Sequence, residues 1–178
     1  MNNEKSALII IDLQNDFTLK TGKAHACSSQ ADIVIPRINE LIETCENKNI
    51  EVIYFKTEWK NFIIKLLTKN SVKVGSHGAQ FDDRLTHEKK NVFIKNDKNI
   101  FSNKDFVDYL KKNNIKKLFL SGLALEYCIN TSFKEAQKIN VETNIVSDAI
   151  ISYKCTELTP LLNKYFPNES LVLSSNII

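Results

Sequence analysis

The chain has 178 residues, of which 43% are hydrophobic and 25% are charged, a balance that suits one globular domain with a substantial core. The net charge of +3 is spread along the sequence without a basic stripe interleaved with aromatic residues, which argues against a nucleic acid partner. No apolar run reaches the roughly 20 residues that a membrane-spanning helix needs, so we expect no membrane partner.

Strands alternate with helices along the chain. The first predicted strand, 6–12, is a continuous apolar run with a polar end, typical of a strand buried on both faces of a parallel sheet. The other predicted strands are 51–55, 91–94, 117–121, 141–146 and 171–174, and the predicted helices are 31–47, 105–113, 127–139 and 157–165. This alternation predicts a single α/β domain over residues 1–178, a three-layer sandwich around a mainly parallel, doubly wound, six-stranded sheet of Rossmann-like type.

The stretch 57–90 interrupts this rhythm. It holds a short apolar piece at 62–67 and then a loop with Gly75 and Gly78. Long insertions after a strand are usually functional or disordered. We therefore expect this insertion to cover the site.

Three reactive side chains stand at the ends of predicted strands. Asp12 closes the first strand, Lys95 closes the third, and Cys128 follows the fourth, at the start of a helix. Because sites in open α/β sheets lie at the carboxyl ends of the strands, we expect these three residues to meet. The N–H groups of a helix start favour negative charge, and with Lys95 they would bias Cys128 toward thiolate.

These three groups suit the hydrolysis of an amide. Cys128 would attack the carbonyl carbon, Asp12 would accept the thiol proton, and Lys95 would hold both anions in place. Two backbone N–H groups near the turn would stabilise the tetrahedral oxyanion. Ammonia or an amine would leave, and water would hydrolyse the thioester.

The segment 12–17 (DLQNDF), Lys95 and the segment 122–128 (GLALEYC) together resemble the isochorismatase-like cysteine hydrolases, and GLALEYC is particularly similar to the nicotinamidase branch. The segment 73–81 is also similar to a loop of that branch. The resemblance implies that Asp12, Lys95 and Cys128 form a catalytic triad.

The same resemblance implies further site features. The backbone N–H groups of Ala124 and Cys128 would form the oxyanion hole, and a non-proline cis peptide would join Leu123 to Ala124. Phe17 would be a wall of the substrate pocket. The remaining aromatic candidates for substrate binding are Trp59, Phe101 and Tyr127.

The sequence departs from the nicotinamidase branch at the residues that would bind a divalent metal. Nicotinamidases usually hold that metal through an Asp-x-His step after the second strand and a further His, which here are Glu58-Trp59-Lys60 and Ser71. Glu58 is then the only residual candidate, and one carboxylate does not make a transition-metal site. We therefore expect no cofactor, with a divalent metal disfavoured. One hypothesis is that Lys60 takes the place of the cation and binds a substrate carboxylate or carbonyl.

The resemblance predicts a nicotinamidase-like amidase that acts on a small-molecule carboxamide and forms a homodimer or higher homo-oligomer. One alternative is a catalytically idle member that binds a ligand or a partner, and another is an isochorismatase-type ether hydrolase. The first five residues do not resemble a signal peptide, and the four cysteines have no CxxC spacing. We therefore expect a cytoplasmic protein with free thiols.

Overall fold

A six-stranded parallel sheet forms the centre of the molecule, whose computed structural model describes residues 5–177. The strands are β1 (Lys5–Ile11), β2 (Glu51–Thr57), β3 (Asn91–Lys95), β4 (Ile115–Leu123), β5 (Glu142–Ile151) and β6 (Leu171–Val172). Their order in the sheet is β3-β2-β1-β4-β5-β6, and every neighbouring pair is parallel. The predicted α/β class and parallel six-stranded sheet are confirmed.

Helices cover both faces of this sheet, as the uninterrupted apolar pattern of β1 requires. The helices are α1 (Asn15–Thr18), α2 (Ser28–Asn47), α3 (Phe62–Leu67), α4 (Lys104–Lys112), α5 (Asn130–Lys138) and α6 (Leu158–Tyr165). Leu8 and Ile10 pack in the cluster that includes α2, whereas Ile9 and Ile11 pack in the cluster that includes α4, α5 and α6. Each face of β1 therefore has its own core.

The strand order changes direction at β1. The chain proceeds outward from β1 to β2 and β3 on one side, and from β4 to β5 and β6 on the other. A crevice opens at the carboxyl ends of the strands where such a sheet reverses. This topology places the segments that follow β1 and β4 beside each other.

Several elements extend beyond their predicted ends. The strand predicted at 141–146 continues to Ile151, because an irregular register lets Ile150 and Ile151 pair with Gly122 and Leu123. The helix predicted at 127–139 is divided into a π-helical turn, Leu125–Ile129, and α5. Such turns occur frequently at functional sites.

The insertion after β2 is tied to the loop that follows β1. The Asp16 carboxylate accepts hydrogen bonds from the N–H groups of Val72 (2.7 Å) and Lys23 (3.1 Å). Gly78 lies against the same carboxylate, where a β-carbon would overlap it. These contacts hold the insertion at the carboxyl edge of the sheet.

Over residues 5–177, no helix is long and apolar enough to cross a membrane.

A disulfide joins Cys27 to Cys155, with their Cα atoms 4.7 Å apart. The expectation of free thiols is therefore wrong for these two residues, whereas Cys45 and Cys128 are free. The two cysteines are 128 residues apart in sequence, so no local spacing predicts that they pair. The bond links the segment before α2 to the segment after β5.

Candidate active site

Asp12 follows β1 directly and adopts a left-handed backbone conformation, with φ of 59°. Left-handed conformations are uncommon outside glycine, and they cluster at functional sites. The Asp12 N–H donates to the Phe55 carbonyl at 2.9 Å, which fixes this turn against β2. The residue is 1% exposed. Its carboxylate therefore needs partners within the protein.

Lys95 supplies the main partner of that carboxylate. Its ammonium is buried and donates to Asp12 Oδ2 at 2.7 Å, to Thr57 Oγ1 at 2.5 Å and to Cys128 Sγ at 3.4 Å. Three donors thus meet three acceptors, which uses the full capacity of the ammonium. The structure brings together the three residues that the sequence predicted as a triad.

Thr57 is a member of this cluster that the sequence analysis missed. Its hydroxyl donates to Asp12 Oδ1 at 2.8 Å while it accepts from Lys95. Thr57 lies opposite Lys95 in the register of β2 with β3. The available signal was a polar residue that closes the second strand, but the predicted strand ended at Phe55.

Cys128 reaches the cluster because the end of β4 lies very close to β1. Gly122 has φ of 99°, and a β-carbon there would overlap the Ile11 carbonyl. Only glycine permits both the conformation and the close approach. The Leu123–Ala124 peptide bond that follows is cis. The π-helical turn 125–129 then carries the thiol over the ends of the strands.

The cluster places the Cys128 thiol beside the ion pair of Asp12 and Lys95. Desolvation by the surrounding protein, together with the Asp12 carboxylate, raises the pKa of the Cys128 thiol to about 12, and Lys95 offsets only part of this rise. Burial by itself would lower the pKa of Lys95, but Asp12 and Cys128 outweigh it and raise that pKa. This balance favours the protonated thiol in the resting site, whereas the sequence predicts a bias toward thiolate. The thiol proton has to leave as the sulfur attacks.

A cavity of about 300 Å³ opens above Cys128. Three of the predicted substrate-binding residues, Phe17, Trp59 and Tyr127, line it. Further lining residues, which the sequence analysis did not assign to a substrate pocket, are Ala24, Thr57, Thr68, Ser71, Lys98 and Tyr153. The cavity is small, and four aromatic residues contribute to its walls.

Two predicted substrate-binding residues, Lys60 and Phe101, lie elsewhere. Lys60 lines a different cavity on the side of β3, together with the metal candidate Glu58. Phe101 packs on the core, with its ring 5.7 Å from that of Phe106. Lys60 therefore does not line the cavity above Cys128, whereas its neighbour Trp59 does. The hypothesis that Lys60 takes the place of the cation stays a prediction.

The residues at the expected metal position do not fit a divalent cation. The Glu58 carboxylate is 2.9 Å from the Lys56 ammonium, so its charge is already paired. The indole of Trp59 and the hydroxyl of Ser71 are not ligands that bind a transition metal. Across residues 5–177, no three His, Cys, Asp or Glu side chains are grouped closely enough to hold a metal ion.

The fold and the site define a class of protein: a doubly wound α/β domain with a thiol, an ammonium and a carboxylate clustered at the switch point of its sheet. The chain belongs to the isochorismatase family, whose Isochorismatase domain model matches residues 6–175. Among curated proteins it is similar to the uncharacterized isochorismatase family protein YrdC of Bacillus subtilis, with 23% identity over 162 residues, 84% of this chain and 75% of that protein.

Solved structures share the fold. N-carbamoylsarcosine amidase from Thermoplasma acidophilum superposes with a TM-score of 0.81 and 20% identity over 97% of this chain and 98% of that one. Nicotinamidase from Bacillus subtilis gives a TM-score of 0.81 and 22% identity over 95% and 99%. Pyrazinamidase of Pyrococcus horikoshii, solved in complex with zinc, gives a TM-score of 0.78 and 22% identity over 95% and 98%.

Proposed function

We propose that this protein is a cysteine amidohydrolase that cleaves a small-molecule carboxamide, in the manner of a nicotinamidase, and releases ammonia or an amine. One observation carries the proposal. The Lys95 ammonium contacts both Asp12 Oδ2, at 2.7 Å, and Cys128 Sγ, at 3.4 Å, on the floor of the cavity. A nucleophile, a proton acceptor and a fixed positive charge are the groups that acyl transfer through a thiol requires.

Acylation begins when the Cys128 sulfur forms a bond to the carbonyl carbon and its proton passes to Asp12. The carbonyl oxygen becomes an oxyanion, which the backbone N–H groups of Ala124 and Cys128 receive. The C–N bond then breaks, and Asp12 returns the proton to the leaving nitrogen. A thioester to Cys128 is left.

Deacylation repeats the same proton transfers with water. Asp12 takes a proton from the water that attacks the thioester, and the sulfur regains a proton as it leaves. The product is a carboxylic acid. Lys95 remains an ammonium throughout and balances whichever anion the site holds, carboxylate or thiolate.

The proposed mechanism includes no essential metal, and the chain's own residues support this. Because Glu58 is paired with Lys56, and Trp59 and Ser71 are not transition-metal ligands, residues 5–177 offer no suitable ligand set beside the cavity. Lys95 supplies a positive charge within the site itself.

We further propose a homodimer or larger homo-oligomer, since α3 exposes Phe62, Ile63, Leu66 and Leu67. The cytoplasmic location is also a proposal. Disulfides are rare in reducing compartments, so the oxidation state of Cys27 and Cys155 in cells tests it.

The test is ammonia release from a panel of carboxamides and ureides by the purified protein, with and without a chelator. Release that survives chelation is expected, and Cys128→Ala should reduce it by at least about 10³-fold. Cys45→Ala is the matched control, because Cys45 is the other free cysteine and lies in the core away from the cavity. Full ammonia release by Cys128→Ala would overturn the thioester mechanism. Hydrolysis of isochorismate that Cys128→Ala retains, without ammonia release from any amide, would instead support an ether hydrolase. No release from any compound would support a protein that only binds its ligand.

A further inference from the structure

Two residues that line the cavity carry hydrogen-bond donors without an acceptor in the described part of the protein. Over the described residues, the indole Nε1 of Trp59 and the Oγ of Ser71 are buried without a hydrogen-bond partner, and both residues line the cavity that contains Cys128. Ser71 is 0% exposed. A buried polar group left unpaired costs about 1–3 kcal/mol, so such groups call for an explanation.

Ser71 belongs to a segment whose position is fixed. The N–H of Ser71 donates to the Thr68 carbonyl at 2.9 Å, and the next N–H, of Val72, donates to the Asp16 carboxylate at 2.7 Å. The backbone on both sides of the Ser71 side chain is therefore anchored. A site held in this way is organised before its ligand arrives.

The cavity also has a positive charge that the protein does not balance. Asp12 and Lys98 are the charged residues among those that line the cavity. Asp12 is paired with Lys95, so Lys98 is the lining residue whose charge is not balanced. The Lys98 ammonium lies 4.9 Å from the centre of the Tyr127 ring, and within residues 5–177 it makes no ion pair with a carboxylate. An anion inside the cavity would be attracted to this ammonium.

Aromatic rings form a further part of the cavity lining. Phe17, Tyr127 and Tyr153 line the cavity, and the two tyrosine rings meet edge to face with their centres 5.4 Å apart. Walls of this kind suit a flat, compact scaffold. A volume of about 300 Å³ limits that scaffold to roughly the size of a substituted ring.

We propose that the substrate is a carboxamide on a small planar scaffold that also carries a carboxylate, and that Trp59, Ser71 and Lys98 bind this carboxylate. The indole N–H and the hydroxyl donate to its oxygens, and Lys98 balances its charge. The orientation of the amide toward Cys128 rests on the proposed function. Binding of the carboxylate does not rest on it, so the two can fail separately.

The experiment measures binding by titration calorimetry to the Cys128→Ala protein, which cannot turn its ligands over by the proposed route. The probes are benzamide, nicotinamide, 3-carbamoylbenzoate and 4-carbamoylbenzoate. Each has a carboxamide on a six-membered aromatic ring, and they differ in the second hydrogen-bond acceptor: none, a ring nitrogen or a carboxylate. At least one carbamoylbenzoate should bind about tenfold or more tightly than benzamide, as expected for hydrogen bonds to a charged group. The same four compounds are then offered to the unmodified enzyme for ammonia release.

Variants assign the effect to residues. Added to Cys128→Ala, each of Ser71→Ala, Trp59→Phe and Lys98→Met should weaken carbamoylbenzoate binding by about tenfold and change benzamide binding by less than about twofold. Lys60→Met is the matched control for charge, because that lysine lies in a different cavity. It should leave all four affinities unchanged. Lys98 is exposed, so its variant tests the proposal even where Trp59→Phe folds poorly.

The outcomes separate the two proposals. Equal affinity for all four probes, or no binding of any, would overturn the carboxylate site. Nicotinamide binding as tightly as the carbamoylbenzoates, with no effect of Lys98→Met, would also overturn it in favour of a neutral acceptor. The expected binding pattern without ammonia release would support the carboxylate site and count against the amidase.

Discussion

Replacing Asp12 by Asn should make Cys128 more reactive toward an alkylating agent while it abolishes hydrolysis. In the resting site the Lys95 ammonium is balanced by the Asp12 carboxylate, so ionisation of the thiol would add an unbalanced negative charge. Asp12 accordingly raises the pKa of Cys128, and Lys95 lowers it. With Asn at position 12, the thiolate becomes the anion that balances Lys95.

The size of the effect follows from the geometry. Oδ2 of Asp12 and Sγ of Cys128 contact the same nitrogen at 2.7 and 3.4 Å. They are therefore no more than about 6 Å apart, where two like charges repel by about 3 kcal/mol at an effective dielectric constant of about 20. This repulsion corresponds to about 2 pKa units, or about 100-fold more thiolate. A thiolate of lower pKa is also less nucleophilic, by about tenfold over that range, so alkylation should accelerate by about tenfold.

The assay follows iodoacetamide labelling of individual cysteine peptides by mass spectrometry between pH 7 and 10. Cys45 is the internal control, since burial raises its pKa to about 12 and it lies outside the site. As the pH is raised, the labelling rate of Cys128 should begin to increase at a lower pH in Asp12→Asn than in the unmodified protein. Ammonia release should fall, because the acceptor of the thiol proton is gone.

Slower labelling of Cys128 in Asp12→Asn would refute this reasoning. It would mean that Asp12 promotes the thiolate in the resting enzyme instead of opposing it. Unchanged labelling would mean that the carboxylate and the sulfur do not interact electrostatically. Either result would require a different assignment of the resting proton.

Two further predictions concern the framework around the site. Under non-reducing conditions only two cysteines should take up label in denaturant, because Cys27 and Cys155 are bonded, and four should do so after reduction. Reduction should lower the free energy of unfolding in urea by up to roughly 5 kcal/mol, as expected for a loop of more than 100 residues, and an unchanged midpoint would contradict this. Gly122→Ala should reduce turnover strongly, because its β-carbon would push the end of β4 away from the Ile11 carbonyl. Gly75→Ala has a similar positive φ but open space around it, so it should keep normal turnover, and equal losses in the two variants would show that φ and not the close approach matters.

The sequence alone determined the architecture because the information for it is local. A continuous apolar run such as Leu8–Ile11 must be covered on both faces, which requires a parallel sheet between two helical layers. The parallel direction of the strands then brings their carboxyl ends to one edge. For this reason Asp12, Lys95 and Cys128 could be expected to meet although they are far apart in the chain.

Other features of the site have no local signature. Ser71, Lys98 and Tyr153 are ordinary polar or aromatic residues in sequence, and they acquire a place in the cavity only through the paths of the loops that carry them. Whether Trp59 or its neighbour Lys60 faces the thiol depends on how the chain turns after β2. Periodicity does not describe such a turn, because the residues beyond the strand no longer alternate between two faces.

The protonation state of Cys128 and the disulfide also have no local signature in the sequence. The spacing of motifs places a thiol beside a lysine and an aspartate, but the pKa of Cys128 is the balance of desolvation and two opposing charges, each dependent on distances that only the folded chain sets. The bond between Cys27 and Cys155 likewise depends on α2 and β5 packing side by side. Sequence thus fixes which groups are present and on which edge they lie, because secondary structure follows local patterns. Tertiary structure decides how they interact, because electrostatic and steric energies change over fractions of an ångström.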